Sequence, residues 1–341
     1  MEREIMEERL ERIFRRKNRP EASDYLRKLI EVNQILDEEP DSYRLGTPEG
    51  RPGGIIRLNQ ELPTVIVPDL HARMDFFLSV LHHRTTNPSK VLDLLVSEKL
   101  QIVCVGDGFH AEGRAAERWR AALQEYIKGY TSHNHMDAEM RESLGLMEMV
   151  LEVKTAYPSL FHFLKGNHEN IANEDGYGNY PFGKFAYEGE MVTGFISKFY
   201  GEEFLQTYYS FEKKLPLLAI GRNFLVSHAE PRVFYTEDVL TDYHNHPEAV
   251  YDLTWTGDGD AEQGSVQKML SHYLGPGRTE KAYYFGGHRS VEGKYNLRAE
   301  GRYVQIHNPE RFTIAVIRKD GDIDLDSDIV ELHADLGSNR E

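Results

Sequence analysis

The chain has 341 residues, 40% of them hydrophobic and 11% aromatic, enough to bury a large core, which excludes disorder as the starting point. Acidic residues outnumber basic ones 56 to 40, for a net charge of −16, and that balance opposes attraction to a polyanion, so no nucleic-acid partner is expected. The sequence holds no apolar run of about 18 residues and opens with charges, so neither a membrane segment nor a secretory leader is expected, and a cytoplasmic protein is the simplest reading.

Residues 1–45 read as an N-terminal helical extension. Ile5, Leu10, Ile13, Phe14, Tyr25, Leu26, Leu29, Ile30, Val32 and Leu36 recur at mostly helical spacings and predict two amphipathic helices, broken near Asn18, Arg19 and Pro20. The charge pattern of these helices is that of a solvated face. The glycine- and proline-rich stretch 46–54 is turn chemistry and separates this prefix from a catalytic domain over 60–330. There, short β-branched runs at 64–67, 101–105, 160–164, 224–227 and 282–285 predict strands. Helical patterns at 74–83, 140–155 and 189–199 lie between them, and further strands are predicted at 303–306, 312–317 and 323–325. Alternating strand and helix indicates an α/β fold, in which ligands bind beyond the carboxyl ends of the strands. The stretch 114–130, with Trp119, Leu123, Tyr126 and Ile127 at helical spacing, reads as a lid or as a packed surface helix. Cys104 lies in an apolar run and reads as inert, buried packing.

The strand endings carry the chemistry. They run Pro68-Asp69-Leu70-His71, Gly106-Asp107, Gly166-Asn167-His168-Glu169, Ser227-His228 and Gly287-His288. Each alone is an ordinary turn, but five in order point to a metal centre. Asp69 and His71, two apart on an extended segment, reach the same side. A mixed imidazole, carboxylate and amide set suits Mn, Fe, Zn or Co and argues against the all-oxygen shell of Ca. Two cations roughly 3.5–4 Å apart can share a bridging carboxylate and a bridging water, and Asp107 is the natural bridge. Glycines before Asp107, Asn167 and His288 are expected to let the backbone turn sharply there.

This order of motifs resembles the calcineurin-like metallophosphoesterase superfamily. Tyr157-Pro158 ahead of Gly166-Asn167-His168-Glu169, Leu215 to Ile220, Asp252 to Thr256, and Gly287-His288-Arg289-Ser290 narrow the resemblance to the phosphoprotein phosphatase family of Ser/Thr phosphatases. The resemblance covers roughly residues 62–318. It implies a central β-sandwich flanked by helices in four αββα layers. It also implies two divalent transition-metal ions, one held by Asp69, His71 and Asp107 and the other by Asp107, Asn167, His228 and His288, with His168 as general acid. The implied reaction is hydrolysis of a phosphomonoester, with phosphoserine or phosphothreonine on protein as substrate, by attack of a metal-bridging hydroxide.

The chain also departs from that family. His110 stands where the family has an Asp that orients the catalytic His, leaving Glu112 and Asp137 as candidate orienters, with Arg141 close by. The family's phosphate-gripping Arg is also absent from its usual place. Arg114, Arg232, Arg278 and Arg289 are the candidates to replace the family's arginines. Residues 113–138 read as a helical insertion at this point. These changes keep two alternatives open, a nucleotide or dinucleotide polyphosphate hydrolase and a catalytically weakened phosphate-binding scaffold. The partner is therefore a phosphoprotein or a small phosphorylated substrate, and nothing in the sequence sets the oligomeric state.

Overall fold

A computed structural model describes residues 2–85, 88–275 and 277–332. Two helices open the chain, α1 (Glu2–Arg15) and α2 (Ala22–Asp37), followed by strands β1 (Ile55–Arg57) and β2 (Thr64–Val67). Next come α3 (Met74–His82), α4 (Val91–Val96), β3 (Gln101–Cys104), α5 (Ala116–Ile127), α6 (Asn134–Ala156) and β4 (Phe161–Phe163). The chain continues through α7 (Glu188–Phe199), α8 (Glu202–Lys213), β5 (Leu218–Ile220), β6 (Phe224–Val226), α9 (Glu237–Thr241), α10 (Pro247–Thr254) and α11 (Ser265–Leu274). It ends with β7 (Tyr283–Gly286), β8 (Asn296–Arg298), β9 (Tyr303–Gln305), β10 (Phe312–Ile317), α12 (Leu325–Asp328) and β11 (Ile329–Leu332).

The strands form two sheets, one in the order β1-β5-β6-β7-β9-β8 and the other β11-β10-β2-β3-β4. Alternation along each strand sends neighbouring side chains to opposite faces. In β2, Val65 and Val67 pack against the first helices while Ile66 faces the other sheet. In β6, Phe224 and Val226 face inward and Leu225 outward. The inner layer joins Ile66, Val103, Val105, Val226, Phe285, Val304 and Ala315 from both sheets. Helices α1 to α8 cover one outer face, and α9 to α11 cover the other. This is the expected four-layer αββα sandwich.

Segment 1–45 does not stand apart. Met6, Leu10, Ile13, Tyr25, Leu29, Val32 and Leu36 are buried in the same core as Val65, Phe77 and Phe161. Arg141, weighed from the sequence beside Asp137, instead donates to the carbonyls of Arg16 and Phe14 and anchors this helix pair. Helix α5 is packed rather than a free lid, because Trp119 is fully buried and its ring stacks on His110 at 4.9 Å. Cys104 is buried as expected, and burial pushes its thiol well above the usual range.

One strand prediction fails. The run 323–325 is not a strand, because the Asp324 side chain accepts the Asp326 N–H and starts the short helix α12. Such local capping competes with extended backbone, and the edge strand forms later, at β11. Among the described residues no helix is long and apolar enough to cross a membrane.

Candidate metal centre and cleft

β2, β3 and β4 run parallel in one sheet, and β6, β7 and β9 run parallel in the other. Asp69 and His71 follow β2, Asp107 follows β3, and Asn167 and His168 follow β4. His228 follows β6 and His288 follows β7. The loops after these strands converge, so the site straddles both sheets at their carboxyl ends.

Asp107 lies at the centre. Its Oδ2 is 3.7 Å from His71 Nε2, 3.4 Å from His228 Nε2 and 3.9 Å from His168 Nε2, while its Oδ1 accepts the His168 N–H at 2.9 Å. On one side His71 Nε2 stands 3.8 Å from Asp69 Oδ2. On the other side Asn167 Oδ1 is 2.9 Å from both His228 Nε2 and His288 Nδ1. Two donor groups therefore share one carboxylate.

The ring orientations suit ligation. His71 Nδ1 meets the His110 carbonyl at 3.1 Å and His228 Nδ1 meets the Val105 carbonyl at 3.2 Å. Each contact assigns the proton to Nδ1 and leaves the Nε2 lone pair facing the cluster. Burial pushes His71 down to about 3 and His288 to about 4, and holds His228 and His168 well below the ordinary imidazole value. His71, His228 and His288 are neutral near pH 7, the form that binds metal. Burial raises Asp69 and, with Glu169 and Asp69 nearby, raises Asp107 further. Buried carboxylates crowded among neutral imidazoles, with His307 Nδ1 lacking any hydrogen-bond partner, fit divalent cations of the transition series.

Backbone geometry shows how tightly the loops are drawn in. His71, Asp107, His110 and His288 all have left-handed φ, at 41°, 52°, 74° and 63°, a conformation that non-glycine residues hold only where the surroundings impose it. Gly106, at φ 107°, does provide a turn. Gly287 has a different purpose, because a Cβ there would lie 1.7 Å from Asp69 Oδ1. The glycine lets the β7 loop close on the carboxylate, and the His288 N–H reaches Asp69 Oδ2 at 3.0 Å. Glu169 accepts the N–H groups of Asp107, Gly108 and Gly166 at 2.7–2.8 Å. Sequence reasoning quoted Glu169 only as part of a motif and missed this clamp.

His168 is held by rings. Its imidazole stacks on His110 at 4.9 Å and 26°, meets Phe182 at 4.9 Å, and stands edge-on to His71 at 5.2 Å, while Nδ1 has no hydrogen-bond partner. Neither candidate orienter is hydrogen-bonded to it. Glu112 Oε2 faces His71 Nε2 at 3.6 Å and His307 Nε2 at 3.7 Å. Asp137 pairs with Arg19 and His133 at the start of α6.

A cleft of about 430 Å³ opens over the centre, walled by Phe182 and Trp255, with Arg289 and Lys184 on its lining. Lys184 was not anticipated. Arg114 lines an adjoining space of about 300 Å³ and is tied to Glu142 at 2.7 Å and the Ala72 carbonyl at 3.0 Å. Arg232 is exposed and does not line the cleft, and Arg278 donates to Gln60 and the Arg222 carbonyl on the outer surface. His307 joins the centre from the end of β9. The signal was present, since its run also ends in a histidine, but the tail was read only as strands.

No protein-family model and no curated protein matches the chain. Among solved structures, a protein serine/threonine phosphatase from Saccharomyces cerevisiae superposes with a TM-score of 0.53 at 13% identity, covering 92% of this chain and 89% of that one. The chain shares the fold of that phosphatase. A cold-active protein-tyrosine phosphatase from a psychrophilic Shewanella species matches at 11% identity over 88% of this chain and 84% of that one, with a TM-score of 0.47. In this fold both sheets contribute donor groups to the one cluster described above.

Proposed function

We propose that this protein is a metal-dependent phosphoesterase that hydrolyses phosphomonoesters, with phosphoserine and phosphothreonine peptides as the leading substrate class. The observation that carries this reading is the Asp107 carboxylate, which faces His71, His228 and His168 at once. In this reading Asp69, His71 and Asp107 hold one divalent cation, Mn, Fe, Zn or Co, and Asp107, Asn167, His228 and His288 hold a second. Such a pair supplies Lewis acidity toward a phosphoryl group and activation of water. His168 adjoins these ligands without being one; a phosphate dianion beside it would raise its depressed proton affinity, and it would then pass that proton to the departing alcohol oxygen. Arg289 and Lys184 give the phosphate positive charge on the cleft lining.

The test is hydrolysis of para-nitrophenyl phosphate by metal-stripped protein reloaded with each cation, with metal content measured on the same samples. Two bound equivalents and restored turnover are expected, and Asp107→Asn should lose both. Failure to bind metal would overturn the reading. The aromatic walls Phe182 and Trp255 keep a second substrate class in play, because a base can stack there. Phosphopeptides and dinucleotide polyphosphates are therefore compared directly. Two bound cations with no turnover on any of these substrates would make the protein a phosphate-binding scaffold.

A further inference from the structure

His307 is only 2% exposed, yet its Nδ1 has no hydrogen-bond partner. That nitrogen points toward the carboxylate shared with His71. Asp69 Oδ2 is 3.9 Å from His307 Nδ1 and 3.8 Å from His71 Nε2. The two rings meet edge to face with centroids 5.3 Å apart, and donor atoms of Asp69, His71 and His307 all lie within 4.8 Å of one another. A buried imidazole nitrogen without a partner costs free energy unless something fills the gap. These distances are too long for hydrogen bonds, and they leave space among three lone-pair donors.

The placement is enforced from outside. Arg73, itself buried, donates to the Asp69 carbonyl at 2.6 Å and to the Asn308 carbonyl at 3.1 Å, locking the β2 loop to the β9 loop. The His307 carbonyl accepts the Val291 N–H at 2.8 Å. On the opposite edge of the ring, Nε2 faces Glu112 Oε2 at 3.7 Å, beyond hydrogen-bond reach, but the negative charge there favours the tautomer with its proton on Nε2 and its lone pair on Nδ1.

We infer that His307 is a ligand of the first cation through Nδ1, completing a shell of Asp69, His71, Asp107 and His307, with the Glu112 charge favouring the proton on Nε2. The inference rests on the dinuclear reading above but adds a donor from a sixth strand end. It makes the first site richer in nitrogen, and so more selective for transition metals over Mg, than Asp69, His71 and Asp107 alone.

The experiment measures cation binding without turnover. Metal-stripped wild type, His307→Ala and His307→Gln are titrated with Co, following visible absorption and calorimetric stoichiometry, and are melted with and without metal. Wild type should bind two equivalents. In His307→Ala the tighter-bound first equivalent should weaken at least about 100-fold, beyond the 10–100-fold typical of losing an outer-shell partner. The Co spectrum should change with loss of a nitrogen donor, and His307→Gln should recover part of the affinity. The stabilisation by Co, read as the shift from each protein's own metal-free melting temperature, should shrink in His307→Ala. Two equivalents bound to His307→Ala with wild-type affinity and spectrum would overturn the His307 assignment and leave the dinuclear reading intact. No Co binding to wild type would overturn both.

Discussion

The Glu169 carboxylate accepts the backbone N–H of Asp107 at 2.8 Å, so one buried acid aims another. The same carboxylate holds Gly108 and Gly166, joining the β3 and β4 loops into one rigid turn. Replacing it tests whether the central carboxylate depends on this clamp. In Glu169→Gln the amide NH2 meets N–H donors in place of an acceptor, and unsatisfied buried donors should cost about 2–4 kcal/mol. Urea unfolding of metal-free protein reads the loss. A change below about 0.5 kcal/mol would mean that the turn holds without the clamp.

His168→Ala should leave metal content near that of the wild type and reduce turnover by roughly 10²–10⁴, the range for loss of a general acid. Metal analysis and steady-state kinetics on the same preparation separate this from loss of ligation. A fall of less than about tenfold would remove the residue from proton transfer.

Gly287→Ala places a methyl group where Asp69 Oδ1 now sits. Either the carboxylate or the β7 loop must give way, and with it the His288 N–H contact to Asp69. Cation stoichiometry should therefore fall although no ligand has been changed. Full occupancy in this variant would show that the loop has slack.

A fourth prediction concerns acid stability away from the centre. His162 is buried beside Lys154, and burial, followed by that charge, pushes its imidazole down to about 3. The unfolded chain protonates the same ring near pH 6.5. Between these values the unfolded state binds the extra proton, so the stability His162 contributes is complete above about pH 6.5 and falls away toward pH 3. Glu39, held at about 2 by Lys154 and Arg44 against its burial, loses its contribution only below the ordinary carboxylate range. In metal-free protein, His162→Phe should remove about one proton's slope, near 1.4 kcal/mol per pH unit, from the stability profile between pH 6 and 5. Other buried histidines continue to supply the remaining slope. An unchanged profile would count against the assignment.

The strands and the convergence of the loops after β2, β3, β4, β6 and β7 were readable because a β-branched run followed by polar residues has a period and a boundary. Strands at 64–67 and 312–317 match their predicted limits. The 323–325 run misled because Asp324 redirects the backbone through its own side chain. The surroundings of His168 were not legible, since they depend on rings from α5, the β3 loop and the 182 region meeting in space. Which arginine lines the cleft was equally hidden, because every candidate has the same local appearance and only loop geometry separates Arg289 from Arg232 and Arg278.

The candidate donors are divided between two sheets, residues 69 to 167 on one and 228 to 307 on the other. Neither half of the chain carries a complete centre. Cations bound there would act as a clasp across the sandwich, and their binding energy would resist any opening that slides one sheet past the other. Chelation should accordingly increase hydrogen exchange along the seam between the sheets, at Val103, Val226 and Phe285, well beyond the loops that would hold the cations.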